Sequence, residues 1–95
     1  DRRYGRRIGR RMITIRLLGG AKKAVGKTVI DLDRQQSAVS DILKFLQGMS
    51  AEPRLLEPGN LIIAVNGVDS AALAGPATVV SGGDTVTVVT VVHGG

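Results

Sequence analysis

The sequence predicts a single α+β domain, in which a mixed β-sheet is covered by one main helix. Alternating apolar residues near both ends of the chain predict strands, and one helical stripe of apolar residues lies between them. The chain has 95 residues and no cysteine, so its stability has to come from one small core without disulfides. Because Tyr4 and Phe45 are the only aromatic residues, that core has to consist of Val, Ile, Leu and Ala side chains.

Two strands open the predicted domain. Residues 12–18 and 27–32 each alternate between the two faces of an extended chain, which predicts a half-buried strand in both places. In the first strand, Ile13, Ile15 and Leu17 share one face. Two glycines follow that strand, so we expect the two strands to form a hairpin with a bulged or wide loop between them.

The connection between these strands, residues 21–28, is similar to a phosphate-binding loop but departs from it in two ways. Ala21 stands where that motif needs its first glycine. The motif also leads into a helix whose N-terminus faces the phosphates, whereas here the β-branched residues Thr28, Val29 and Ile30 continue as a strand. We therefore interpret the connection as a solvated basic turn without a nucleotide-binding role.

Residues 37–47 form the one convincing predicted helix. Its apolar side chains recur at spacings of three and four residues, which makes a single stripe that has to cover a sheet. These side chains are Val39, Ile42, Leu43 and Leu46, with Phe45 at the edge of the stripe. Ser37 is predicted to cap the first turn, and Gly48 is predicted to close the helix in the left-handed conformation. Asp41 suits the N-terminal half because of the helix dipole.

The segment after the helix is predicted to be irregular before the chain becomes a strand again. Residues 49–60 contain two prolines and act as a linker within the fold. Residues 61–65 are almost wholly apolar, which predicts a short strand that is buried on both faces. Asn66 and Gly67 then form the dipeptide most typical of a hairpin turn.

The last strand is predicted to lie in the centre of the sheet. Residues 81–84 contain two glycines and turn the chain. Residues 85–92 are so rich in β-branched side chains that a central position is favoured over an edge. The order strand, strand, helix, strand, strand fits a β-grasp sheet, in which the first and last strands pair in parallel. Such a sheet would emit His93, Gly94 and Gly95 as an ordered stem with a free tip.

The positive charge of the chain is confined to its start. The formal net charge is +5, and residues 1–11 hold six Arg and one Asp, which leaves residues 12–95 neutral. Residues 1–11 lack helical or strand periodicity, so we interpret them as a disordered basic arm or as a leader added for expression, with Met12 as the natural start. Such an arm could bind a phosphate backbone non-specifically.

The most informative stretch is the C-terminal His93, Gly94 and Gly95. Glycine has no side chain to obstruct approach to its carbonyl, so a Gly-Gly end can enter a narrow channel and present a carboxylate for activation. A free carboxylate is a poor electrophile, and activation would first convert it to a mixed anhydride with AMP. We assign His93 to recognition or packing, because a lone imidazole without an orienting partner is a poor general base.

Several motifs together resemble the ubiquitin-related modifier family and, more broadly, the β-grasp sulfur carriers. They are residues 38–46 (AVSDILKFL), residues 58–67 (PGNLIIAVNG), Gly83-Asp84 before the last strand, and the ending His93-Gly94-Gly95. The carriers include the small subunit of molybdopterin synthase, the thiamine sulfur carrier and the small archaeal modifier proteins. The likeness covers residues 12–95 and implies a ubiquitin-like β-grasp fold.

The resemblance implies a carrier or modifier protein rather than an enzyme. An E1-like activating enzyme would adenylate the carboxylate of Gly95 with ATP and magnesium, and a sulfur donor would convert it to a thiocarboxylate. The sulfur would then pass to tRNA thiolation or to a pterin precursor, or a lysine of a target protein would form an isopeptide bond. Gly95 carries over as the reacting residue and Gly94 as its slim neighbour. The chain itself would bind no cofactor and no metal.

The resemblance also implies the partners and leaves alternatives open. The implied partners are the activating enzyme, a sulfur donor, target-protein lysines or a tRNA-thiolation enzyme, and also the proteasome or a molybdopterin synthase large subunit. One alternative function is the small subunit of molybdopterin synthase, and a weaker one is nucleic-acid binding through residues 1–11. We expect a cytoplasmic monomer without a membrane segment. The sheet face around Val89 and Val91, or their neighbours, is the candidate docking patch.

Overall fold

A computed structural model describes residues 11–91 of the chain. A five-stranded mixed sheet dominates it, and a separate two-stranded sheet lies beside it. The elements in chain order are β1 (Ile13–Leu18), α1 (Gly20–Val25), β2 (Val29–Leu32), β3 (Gln36–Ala38), α2 (Val39–Met49), β4 (Leu61–Val65), β5 (Val68–Asp69), β6 (Val79–Ser81) and β7 (Thr85–Thr90). Within these described residues, no helix is long and apolar enough to cross a membrane.

The last strand lies at the centre of the main sheet, as the sequence predicts. The strand order is β2-β1-β7-β4-β5, while β3 and β6 pair with each other. β7 runs parallel to β1, with Ile15 opposite Val86, and antiparallel to β4, with Ile63 opposite Val88. β1 and β2 form the predicted antiparallel pair. The chain therefore has the predicted mixed sheet with one main helix, and its α+β fold is of the β-grasp type.

The core lies between one face of the main sheet and α2. The three predicted β1 side chains are fully buried, and the side chains of the predicted α2 stripe are buried as well. Val86 and Val88 of β7 complete the layer under the helix. Leu56 in the segment after α2 is also inaccessible, although the sequence predicts only an irregular linker there. No periodic pattern in the sequence predicted that Leu56 belongs to the core.

The ends of the main helix differ from the prediction. Ser37 lies in β3, opposite Val80, and does not cap the helix, because the carbonyl of Thr78 accepts the amide hydrogen bond of Val39 at 2.8 Å. A backbone group from another segment therefore satisfies an N–H group that a cap would otherwise satisfy. Gly48 lies inside α2, which continues to Met49 and ends at the extended Ser50. The predicted left-handed closure is therefore wrong.

The connection between β1 and β2 contains a helix that the sequence analysis did not predict. Gly20–Val25 form α1, with Ala21 and Ala24 buried, and Gly26 ends it in the left-handed conformation at φ 83°. Ala at the two buried positions lets the helix pack closely, which a six-residue apolar pattern is too short to reveal. The predicted exposed loop is thus replaced by a short helix packed against the core.

The strand β4 is less buried than its apolar sequence predicts. Val65 is buried, Leu61 and Ile63 pack partly against the core, and Ile62 points away and is 45% exposed. The prediction of burial on both faces is therefore wrong, because the helices among residues 11–91 cover only one face of the main sheet. After β4, Asn66 and Gly67 adopt positive φ values of 50° and 85°, and the predicted turn joins β4 to β5.

Candidate functional site at the end of the last strand

The three predicted site residues, His93, Gly94 and Gly95, lie outside the described residues. The structure shows instead how the chain leads up to them. β7 ends at Thr90, and Val91 is the last described residue. Because β7 lies between β1 and β4, the segment that precedes the predicted reactive end is held by backbone hydrogen bonds on both sides.

The end of β7 is fixed on the β4 side by the main chain. Thr90 lies opposite Leu61, and the Val91 amide donates a hydrogen bond of 2.8 Å to the carbonyl of Asn60. Asn60 ends a single 3₁₀ turn, Pro58–Asn60, that leads directly into β4. The pairing with β4 therefore continues one residue beyond the strand itself.

On the β1 side, a side chain takes over where the main-chain pairing stops. The parallel register ends with Leu18 opposite Val89. One residue further, the Thr90 hydroxyl accepts a hydrogen bond of 2.8 Å from the amide of Gly20, the first residue of α1. This contact joins residues 70 positions apart, and no sequence pattern predicted it.

The uncovered face of the main sheet carries a row of apolar side chains next to this strand end. Leu18 of β1 and Ile62 of β4 both lie directly opposite Val89 of β7. Leu18 is 43% exposed, Ile62 is 45% exposed and Val89 is half-buried. We call Leu18, Val89 and Ile62 the sheet-face row. The alternation along β7 places Val89 on the face opposite the buried Val86 and Val88, so Val89 belongs to the uncovered side.

The phosphate-loop-like segment has no cradle for an anion. Lys22 and Lys23 lie on the exposed side of the short helix α1, and Thr28 leads into β2. Lys27 leads into the strand β2 rather than into a helix, so the backbone amide groups that would bind a phosphate are not gathered there. The interpretation of this segment as a solvated turn is wrong for residues 21–25, which lie in α1, and the lack of a nucleotide role stays a prediction.

The opposite end of β7 carries a polar network that was not predicted. Asp84 accepts hydrogen bonds from the Ser81 amide at 2.7 Å and from the Asn66 side-chain amide at 3.0 Å. These two hydrogen bonds, the first being the stronger cause, lower the pKa of Asp84 below its ordinary value of 3.8. The Asn66 side-chain oxygen also accepts from the Thr85 amide. Asn66 is therefore a structural turn residue rather than a free ligand-binding amide.

A concave surface lies on the helix side of the molecule. This groove of about 430 Å³ separates α2 from the chain that follows β5, and its lining includes Val39, Leu43, Lys44, Leu61 and Pro76. Within residues 11–91, no group of three or more His, Cys, Asp or Glu side chains is placed to hold a metal ion. The groove is mainly apolar and offers no cluster of reactive side chains.

Known protein structures share this fold over nearly the whole chain. The HVO 2177 protein of Haloferax volcanii is 28% identical, with 92% of this chain and 89% of that chain covered and a TM-score of 0.70. Urm1 from Trypanosoma brucei is 21% identical, with 92% and 98% covered and a TM-score of 0.70. The small archaeal modifier protein 1 of Methanosarcina acetivorans is 20% identical, with 90% and 98% covered and a TM-score of 0.72. No curated protein sequence matches the chain significantly.

The fold and these structural relatives define a β-grasp protein of the ubiquitin-like class. The model of the ThiS family matches residues 15–95, which includes the whole of β7 and the residues after it. The chain therefore belongs to the ThiS family. This confirms the resemblance to the β-grasp sulfur carriers and ubiquitin-like modifiers that the sequence motifs indicated.

Proposed function

We propose that this protein is a carrier whose C-terminal carboxylate, on Gly95, is activated by a separate adenylating enzyme. The observation that carries the proposal is the fixed end of the central strand: Thr90 and Val91, five and four residues before Gly95, are bound to both neighbouring segments. A partner that grips the rigid domain would receive the Gly-Gly end at a defined position. Membership of the ThiS family supports the same reading.

The chemistry that we propose begins at the Gly95 carboxylate. One carboxylate oxygen attacks the α-phosphate of ATP in the activating enzyme, with magnesium, and pyrophosphate leaves. Hydrosulfide from a sulfur donor then displaces AMP, which gives a thiocarboxylate, or the amine of a target-protein lysine displaces AMP, which gives an isopeptide bond. The chain has no cysteine, so every thiolate in these steps belongs to a partner. The protein is accordingly a substrate of the activating enzyme and not itself the catalyst.

The sheet-face row is the surface that we assign to docking of the activating enzyme. Leu18 and Ile62 are large apolar side chains, both more than 40% exposed, on adjacent sides of the strand that leads to Gly95. An apolar cluster on an uncovered sheet face is typical of a protein–protein contact. Its position on β7 and the two flanking strands would let one partner hold the domain and receive the C-terminal residues together.

We propose that the activated protein works in the cytoplasm, both as a sulfur carrier and as a modifier. Transfer of the terminal sulfur would serve tRNA thiolation or a pterin precursor, and conjugation would direct targets to partners such as the proteasome. The structural similarity to Urm1 and to a small archaeal modifier protein is the reason to test both routes. The activating enzyme would recognise His93 and Gly94 when it binds the C-terminal residues.

The proposal is tested by the intact mass of the protein after incubation with ATP, magnesium, a sulfur source and lysate of the source organism. We expect a mass gain that equals replacement of one oxygen by sulfur, and lysine-linked adducts if conjugation also occurs. Deletion of Gly95 should abolish both products without changing thermal stability. Deletion of Asp1 is the matched one-residue control and should change neither. Products that survive the loss of Gly95 would contradict the proposal.

The two alternative functions give different results in the same preparation. A small subunit of molybdopterin synthase would form a stable complex with a larger catalytic subunit and would yield no lysine conjugates. A nucleic-acid-binding protein would bind DNA or RNA with an affinity that falls steeply with salt. That binding would disappear when residues 1–11, which contain six of the thirteen basic residues, are removed.

A further inference from the structure

The end of β7 changes neighbours at one residue. Up to Val89, the strand pairs with β1 through the main chain, because Leu18 lies directly opposite. At the next position β1 has ended, and Gly19 turns the chain away at φ 58°, a conformation that favours glycine. Without another contact, Thr90 would therefore be held on the β4 side only.

Thr90 and Gly20 restore that missing contact. The first amide groups of a helix have no partner within the helix, and the Gly20 amide at the start of α1 is one of these. It donates instead to the Thr90 hydroxyl at 2.8 Å. The approach requires glycine, because a Cβ atom on Gly20 would lie 2.6 Å from that hydroxyl oxygen.

We infer that Thr90 is a positioning residue that determines where the C-terminal segment leaves the sheet. Its hydroxyl anchors the strand end to α1, while the Val91 amide anchors it to Asn60. Loss of the hydroxyl frees Thr90 on the β1 side and makes the starting point of the segment less defined. The inference rests on the proposed activation of Gly95, because a defined starting point matters only if a partner has to receive that residue.

The structural part of the inference is tested by amide hydrogen exchange in the free protein. Thr90→Val keeps the shape of the side chain but removes the hydroxyl, so exchange at Gly20 and Val91 should become faster. Thr90→Ser keeps the hydroxyl and should restore protection. Thr85→Val, the same change at the other end of β7, is the matched control and should leave both amides as in the parent. Unchanged exchange at Gly20 and Val91 in Thr90→Val would overturn the inference.

The functional part is tested with the activating enzyme enriched from the source organism, through ATP–pyrophosphate exchange that depends on the carrier. Docking uses the sheet-face row, which Thr90→Val leaves intact, so KM should stay within about twofold while kcat falls about tenfold because the reacting carboxylate is misplaced. Gly20→Ala, which displaces the Thr90 side chain without removing its hydroxyl, should give the same split between kcat and KM. Thr90→Ser and Thr85→Val should keep the parent values.

The outcomes separate this inference from the proposed function. If the parent protein supports no exchange of pyrophosphate, the proposed function fails and so does the positioning role that depends on it. If the parent is active and Thr90→Val has the same kcat, the positioning role alone is overturned. A rise in KM without a fall in kcat would also overturn it, because that result would place Thr90 in docking. Equal loss in Thr90→Ser would assign the effect to the methyl group and contradict the role of the hydroxyl.

Discussion

Asn66 and Asp84 join two turns that are 18 residues apart at the end of the sheet opposite the candidate site. Asn66 adopts a left-handed conformation. Its side-chain nitrogen donates a hydrogen bond to the Asp84 carboxylate, and its side-chain oxygen accepts one from the Thr85 amide. Asp84 also accepts from the Ser81 amide. A dipeptide that the sequence marks only as a turn therefore also fixes the start of β7.

The lowered pKa of Asp84 predicts how stability depends on pH. A carboxylate whose pKa is depressed by folding stabilises the native state above its unfolded pKa, and this contribution is lost as pH falls through the folded pKa. We expect Asp84→Asn to destabilise the protein at neutral pH, and the difference from the parent to shrink as the pH falls below 3.8, the ordinary pKa of the group. Urea unfolding at several pH values measures this.

The control for this pH effect is Glu57→Gln. Glu57 is exposed, and it contacts Asn60 through its backbone carbonyl rather than through its carboxylate. The difference in stability between this variant and the parent should be small at every pH. A difference between Asp84→Asn and the parent that stays constant down to the lowest pH would contradict the assigned role of the Asp84 carboxylate.

At the scale of elements, the periodic pattern of α2 determines its buried face, and neighbouring segments determine where the helix begins and ends. The apolar stripe was predicted correctly because each of its side chains is buried against the same sheet. The ends were predicted wrongly because they depend on contacts from elsewhere. At the start of α2, the Thr78 carbonyl accepts a hydrogen bond from the Val39 amide. Beyond its last turn, the Ser50 hydroxyl donates a hydrogen bond of 2.9 Å to the carbonyl of Ala24 in α1.

The stripe predicts a graded response to truncation along α2. Leu46 is fully buried, so Leu46→Ala should cost about 2 to 5 kcal/mol in the free energy of unfolding. Phe45 is only partly buried, with the Arg34 guanidinium 6.0 Å from the ring centre, so Phe45→Ala should cost less than the roughly 3 to 5 kcal/mol of a fully buried ring. Chemical denaturation of both variants measures the order.

Lys44→Ala is the matched control in the same helix. Lys44 is exposed, and alanine favours helix, so stability should change by about 0.5 kcal/mol or less. If Phe45→Ala proved more costly than Leu46→Ala, the packing of α2 on the sheet would differ from that described.

At the scale of the whole molecule, one face of the main sheet forms the core, and the other face carries the surface that we assign to partner docking. Helices cover the face with Val86 and Val88, whereas no element of the described part of the chain covers the face with Val89. The sheet-face row exists only because three strands that are distant in sequence lie side by side. The same arrangement fixes the end of β7, the strand that precedes Gly95 in the chain.

A polar substitution in the sheet-face row tests whether this surface contributes to docking of the activating enzyme rather than to stability. Ile62→Ser should raise the KM of the activating enzyme for this protein several-fold, because it removes apolar surface from the proposed contact. Val79→Ser is the matched control, since Val79 is 60% exposed on β6 and lies outside the row. Both changes should alter the free energy of unfolding by about 1 kcal/mol or less. An equal rise in KM for both variants would place the contact elsewhere.

The sequence by itself determined the elements with a clear period and the face that each one buries. The β1 residues Ile13, Ile15 and Leu17 and the α2 stripe were all predicted, and so was the central position of β7. Alternation and helical spacing record burial directly, because solvent exclusion acts on one side of a strand or helix. The motifs around residues 38–46 and 58–67 added the family, which the match over residues 15–95 confirmed.

Only the tertiary structure decided the features that depend on residues far apart in the chain. The short helix α1, the burial of Leu56 and the pairing of β3 with β6 have too few residues for a periodic signal. The contact of Gly20 with Thr90 spans 70 positions and needs the close approach that glycine permits. The exposure of Ile62 has the same origin, because an apolar strand is buried on both faces only where the fold supplies a second layer.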